Sequence, residues 1–179
     1  CSGYQQYIDR IQDGINEDLS AAYPDLDIRI DGAVWDHLSM IFQKTGSRFV
    51  FVMDEWDAVF HMPFLTDNDH AAFLLFLKAL LKDKVYVELA YMTGILPIAK
   101  YSDGSELNMF LEYHMATTER FSEYFGFLEQ EVDRLYAIYE KTVKEKKIRR
   151  KDLTDWYDGY VTASGSRIYN PRSIVCALT

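Results

Sequence analysis

The chain has 179 residues, 49% apolar and 26% charged, enough for one globular core with a small appendage and too apolar for a disordered segment. Nineteen basic residues against 28 acidic ones leave a net charge of −9, which excludes a protein that coats nucleic acid or an anionic membrane with its whole surface. Cys1 and Cys176 stand at opposite ends without C-x-x-C spacing, so they make neither a zinc site nor a disulfide framework and point to a reducing, cytoplasmic setting.

In chain order, apolar residues at Tyr4, Tyr7, Ile8, Ile11, Ile15, Leu19 and Ala22 predict an amphipathic helix that stops at Tyr23-Pro24. A shorter helix is expected from about Ala33 to Gln43, closed by a turn at Thr45-Gly46. Phe49 to Met53 reads as a strand buried on both faces, and it runs directly into Asp54-Glu55-Trp56-Asp57. Asp67, Asn68 or Asp69 is the expected cap of the next helix, whose stretch from Ala71 to Leu81 is apolar all round.

A strand from Val85 to Met92 follows and ends at Thr93-Gly94. Strand, helix and strand joined by connections of this length form a βαβ unit with parallel strands. Ligands in such sheets bind beyond the carboxyl ends of the strands, which puts Asp54, Glu55 and Thr93 on one rim. Past Asp103-Gly104 the pattern turns helical, with helices expected over Leu107 to His114, Thr118 to Tyr124 and Leu128 to about Lys144. Tyr160-Val161 and Ile168-Tyr169 are set to pair as a hairpin around the "TASGS" turn, with Asp158-Gly159 before it. Asn170-Pro171 then caps a last helix. No stretch reaches the ~18 apolar residues of a membrane span, and no signal pattern opens the chain, so no membrane partner is expected. The chain does not begin with Met and reads as a piece whose start lies upstream.

A carboxylate ending a buried strand can hold Mg²⁺ through water while its neighbour polarises a second water, as nucleotide hydrolysis requires. The same pattern also serves a bland reading, since any buried strand must end in polar residues. Asp57 has no part in the pair and is expected to face solvent on the following turn.

"FVFVMDEWDAVF", "AYMTGILPIAKYSDGSELNMFLEY", "YFGFLEQEV", "WYDGYV" and "IYNPRSIV" follow one another along nearly the whole chain. In order and spacing they resemble the bacterial AAA-ATPase-like domain family, P-loop proteins often fused to a PD-(D/E)XK nuclease-like domain. The resemblance implies an α/β fold: a partial P-loop NTPase (AAA-like) three-layer core over residues 1–104, with parallel Walker B and sensor strands, and a C-terminal helical lid subdomain with a short hairpin over 105–179. It implies ATP and Mg²⁺ as cofactors, Asp54 holding the metal, Glu55 polarising the lytic water and Thr93 as a catalytic residue at the end of the sensor strand, from which it can reach the attacking water or the γ-phosphate. Nucleic acid enters as a partner through the fused nuclease-like domain.

The family's phosphate loop, G-x-x-x-x-G-K-[ST], is missing, because none of the nine glycines precedes a Lys. This chain is therefore expected to be inactive alone and to bind ATP weakly or not at all, the ATPase belonging to the full-length protein. The strand Val85 to Met92 would then expose an edge, to be covered by a homo-oligomer, a swapped element or an added strand. The alternative is a non-hydrolysing module that binds protein or nucleic acid.

Other signals lead less far. The run "KTVKEKKIRRK", residues 141–151, carries seven basic residues against one Glu; it is read as a solvated helix end that complements the macrodipole rather than a phosphate-binding patch. Arg134, Arg149, Arg150, Arg167 and Arg172 are all candidates for a lid arginine. His37, His61, His70 and His114 have no zinc-site spacing, and Ser164 and Ser166 lack the G-x-S-x-G frame of a hydrolase nucleophile.

Overall fold

The computed structural model describes residues 3–98, 107–157 and 159–179, a mixture of helices and small sheets that is broadly α/β. It divides into two compact units, Cys1–Leu111 and Glu112–Thr179. The sequence boundary between 104 and 105, the Asp103-Gly104 turn and Asp158 lie outside the described residues. Among those described, no helix is long and apolar enough to cross a membrane.

In the first unit, α1 (Tyr4–Ala22) ends where Tyr23 N donates to Leu19 O at 2.9 Å. α2 (Val34–Thr45) closes on Gly46, whose φ of 72° is the left-handed conformation glycine adopts without a Cβ clash. Between these helices the chain is tied down by Asn16, fully buried on α1. Its amide donates to the Ile30 and Gly32 carbonyls at 2.9 and 2.7 Å, and its Oδ1 lies 2.9 Å from His37 Nδ1 on α2.

β1 (Phe49–Met53) and β2 (Val87–Met92) pair in parallel, with Phe49 opposite Val87 and Met53 opposite Met92. The expectation that β1 is buried on both faces is corrected by the structure. Phe49, Phe51 and Met53 face the core, whereas Val50 and Val52 are 58% and 70% exposed. On β2 the same outer face carries Leu89 and Tyr91, also exposed. Continuous apolarity could not separate the two cases, because it marks a strand as able to be covered without supplying the cover. Among the described residues this sheet has two strands, so each keeps one edge without a strand partner.

α3 (Asp67–Leu81) connects the strands and buries Phe73, Leu74, Phe76, Leu77, Leu80 and Leu81 in the core. Leu75 is left 55% exposed, so the helix is less enclosed than its composition suggests. Its cap is Thr66, not one of the three residues after it: Asp69 N donates to Thr66 Oγ1 and Thr66 N donates to Asp69 Oδ2 at 2.8 Å, a reciprocal box. Just before β2, the buried Tyr86 hydroxyl donates to Leu80 O at 2.6 Å. Burial pushes its phenol well above the usual range, with Asp36 adding to the shift.

The second unit departs further from its sequence reading. Residues 107–111, at the end of the first unit, and 112–121 of the second form turns rather than the two expected helices, and in the stretch that follows, Ser122–Phe125 makes a 3₁₀ turn. That stretch is dense in aromatic residues, which pack at the surface: Phe121 stacks edge-on with Tyr113 and Tyr124, and the Arg120 guanidinium lies 4.8 Å from the Phe121 ring centre. β3 (Phe127–Leu128), unforeseen from the sequence, pairs with β5 (Arg167–Tyr169), which also forms the expected hairpin with β4 (Tyr160–Val161). α4 (Glu129–Thr142), α5 (Arg150–Trp156) and α6 (Pro171–Leu178) supply Val132, Tyr139, Leu153 and Ile174 to a second core. Asn170 caps α6 by accepting from Ser173 N at 3.1 Å.

The Thr66–Asp69 box gives a pH-dependent element. The Thr66 N–H and hydroxyl hold the Asp69 carboxyl below its ordinary value of 3.8, so the contribution is complete above that value and is lost as pH falls through the depressed one. Thermal melts of Asp69→Ala should lie below wild type at neutral pH, and the two curves should converge in acid. Thr66→Ala should cost about 1 kcal/mol at neutral pH.

Candidate functional site

Parallel pairing with Met53 opposite Met92 brings the residues that follow, Asp54 and Thr93, level at the carboxyl ends of the two strands. The Thr93 hydroxyl donates to Asp54 Oδ1. Thr93 N donates to Met53 O at 2.9 Å, Trp56 N donates to Thr93 O at 2.9 Å, and Glu55 N reaches Thr93 Oγ1 at 3.4 Å. The three residues singled out from the sequence thus lie together on one rim, with both carboxylates exposed to water.

Glu55 sits at φ 51° and ψ 48°, a left-handed conformation that costs an L-residue with a Cβ about 1 kcal/mol or more. It is the hinge on which the chain reverses from β1 into the 3₁₀ turn Trp56–His61. That turn is anchored by aromatic contact: Trp56, 6% exposed, packs edge-on against Phe60, which does the same against Phe73 of α3.

Asp57 does not face solvent as its sequence position suggested. It is 2% exposed, and its Oδ2 accepts from Ile95 N at 3.1 Å and Leu96 N at 2.9 Å. His61 Nε2 lies 3.9 Å from the same oxygen. No spacing rule distinguishes Asp57 from its neighbours, because its donors are backbone amides 38 and 39 residues away. Gly94 hints at the crowding: a Cβ there would come within 2.6 Å of Trp56 Cδ1 and 2.7 Å of Asp57 Oδ1.

The other candidates are drawn into local structure. Arg150 binds Glu129 Oε1 at 2.8 Å and Asp133 Oδ1 at 2.6 Å. Burial opposes its charge, but those two carboxylates outweigh it and raise its pKa. Arg149 pairs with Asp152 at 2.6 Å and Lys146 with Glu140 at 3.8 Å, so three cations of the basic run are matched within their own unit. The run begins in the last turn of α4, crosses the following loop and enters α5, rather than lying on one helix end. Residues 112–179 hold eleven basic and eleven acidic residues, which leaves the whole net charge of −9 in the first unit. Arg134 stands 3.6 Å from Glu131.

Ser164 hydrogen-bonds to Thr162, Ser122 and Ser166, a set of hydroxyls that holds the "TASGS" turn. Two surface hollows run along α1, lined by residues such as Asp9, Asp13, Glu17 and Asp31, and include none of the rim residues. No family model, curated protein or solved structure matches the chain.

The strained hinge yields a separable prediction. Glu55→Gly removes the left-handed penalty together with the carboxylate. Calorimetry should place its melting temperature at or above that of wild type; a marked drop would mean that the Glu55 side chain supports the fold.

Proposed function

We propose that this chain carries the metal-and-water half of a nucleotide-hydrolysing site of the AAA-like P-loop type, its phosphate-binding loop lying elsewhere in the intact protein. The observation that carries the reading is the Asp54–Thr93 hydrogen bond at the adjoining tips of two parallel strands, with Glu55 next to it. In such a site Asp54 is the metal-holding acid, Glu55 the base that orients and polarises water, and Thr93 the polar group that steadies the acid from the neighbouring strand.

The donor set fits Mg²⁺, which keeps several waters and takes one or two carboxylates together with substrate phosphates. Asp54 is exposed at the rim, and among the described residues no group of three His, Cys, Asp or Glu forms an all-protein cage. Bound there, Mg²⁺ would neutralise charge on the ATP phosphates. The chain's own residues then divide the work. Asp54 supplies one anionic ligand, Thr93 fixes its orientation, and the left-handed hinge turns Glu55 away from the strand so that its carboxylate meets solvent water.

The open outer face of the sheet supports the same picture, since parallel sheets normally have both faces covered. It equally favours a second reading, a non-hydrolysing module that uses Val50, Val52, Leu89 and Tyr91 to bind a partner.

Turnover decides between the two. In the intact protein, Glu55→Gln should lower ATP hydrolysis at least about a hundredfold, the contribution of a positioned general base, while leaving ATP binding in place. Wild-type turnover in that variant would remove Glu55 from the chemistry, whereas an intact protein that hydrolyses no ATP, or upstream residues without a Gly-Lys-Ser/Thr loop, would favour the second reading.

A further inference from the structure

The Asp-Glu-Trp-Asp turn and the Thr-Gly-Ile-Leu turn touch at successive points. Asp54 and the Glu55 amide meet the Thr93 hydroxyl, Trp56 N meets the Thr93 carbonyl, and Asp57 takes the amides of Ile95 and Leu96. Only Asp57 does so with a charged side chain withdrawn from water. Burying a carboxylate costs several kcal/mol unless donors meet it, and here two N–H groups converge on one oxygen. A residue that merely ended the strand could remain in water, as Asp54 and Glu55 do.

We infer that Asp57 is a positioning residue for the Asp54–Thr93 pair. The amides it holds lie two and three residues beyond Thr93, so it fixes the direction in which the chain leaves β2 and thereby aims the Thr93 hydroxyl at Asp54. Gly94 is the joint between them, with no room for a side chain against Trp56 and Asp57. The clamp is referenced to the core rather than to the solvated rim, because Trp56 and Phe60 tie the turn to Phe73 of α3. His61 Nε2, on a half-exposed side chain, lies 3.9 Å from the same Asp57 oxygen.

The assignment of a role in catalysis rests on the nucleotide-hydrolysing reading, but the coupling itself is read without nucleotide. NMR of the chain compares wild type, Asp57→Ala and Asp57→Asn. In Asp57→Ala, amide exchange at Ile95 and Leu96 should be at least about tenfold faster, the loss of a hydrogen bond to a charged acceptor, and the Thr93 amide and γ-methyl resonances should move. Asp57→Asn keeps a carbonyl oxygen for both amides and should return the Thr93 resonances most of the way to wild type.

Faster exchange confined to Ile95 and Leu96, with Thr93 unmoved, would overturn the inference and leave Asp57 a local staple of the loop. Should Asp57→Ala not fold, Gly94→Ala probes the same joint by pressing a methyl against Asp57 and Trp56. Thr93 must then move together with amides 95 and 96, or the inference is overturned. An intact protein that hydrolyses no ATP yet shows these couplings would refute the nucleotide reading alone.

Discussion

The parallel pairing of β1 with β2 is the constraint on which the first unit depends. Once Met53 stands opposite Met92, the side chains that follow have no freedom of register, and Asp54 meets Thr93. A slip by one residue would turn Phe49, Phe51 and Met53 outward and bring Val50 and Val52 into the core. The helix α3 makes the pairing possible by returning the chain over one face, and its buried phenylalanines and leucines reward only the register that places the inward residues beneath them.

The two ends of this sheet differ in character. At the amino end of β1, Arg48 pairs with Glu88 at 3.1 Å across exposed surface, an interaction of small energetic consequence. At the carboxyl end the polar contacts are packed against buried Trp56 and Asp57, and one residue is held in a left-handed conformation. Strain and buried charge concentrated at one end of an otherwise ordinary strand pair are what a protein retains where geometry matters beyond stability. Among its described residues the second unit buries no charged side chain. Its ion network, Arg150 with the half-exposed Glu129 and Asp133, and the Tyr169 hydroxyl on Glu129, joins α4, α5 and β5.

Much of this was legible beforehand, and for identifiable reasons. The 3.6-residue stripe from Tyr4 to Ala22, the Gly46 stop, the β-branched and aromatic run at β1 and the Asn170-Pro171 cap are all local signals, and the structure has an element at each. The rim of Asp54, Glu55 and Thr93 followed from one further step, that strand–helix–strand connections make parallel neighbours. Structure and sequence pattern part where the local pattern is ambiguous. Between Leu107 and Tyr124 apolar residues fall at helical spacing, but the chain satisfies them through aromatic stacking and turns. The cap at Thr66 is masked in the sequence by the three acidic or amide residues that follow it, and the reciprocal bond with Asp69 depends on the backbone direction at that point.

The sequence by itself determined where α1 to α4, α6, β1, β2 and the β4–β5 hairpin lie, which ends of β1 and β2 carry polar residues, and that the Gly-Lys loop is missing from these 179 residues. Those properties depend on residues within one or two turns of each other. Only the tertiary structure decided which acid is buried and which face of the sheet is bare. Asp57 and Asp54 are chemically identical and three positions apart, yet one is surrounded by amides contributed from beyond β2 and the other stands in water. Burial is a property of what packs against a residue, and for Asp57 those partners arrive through contacts nearly forty residues distant that no local pattern encodes.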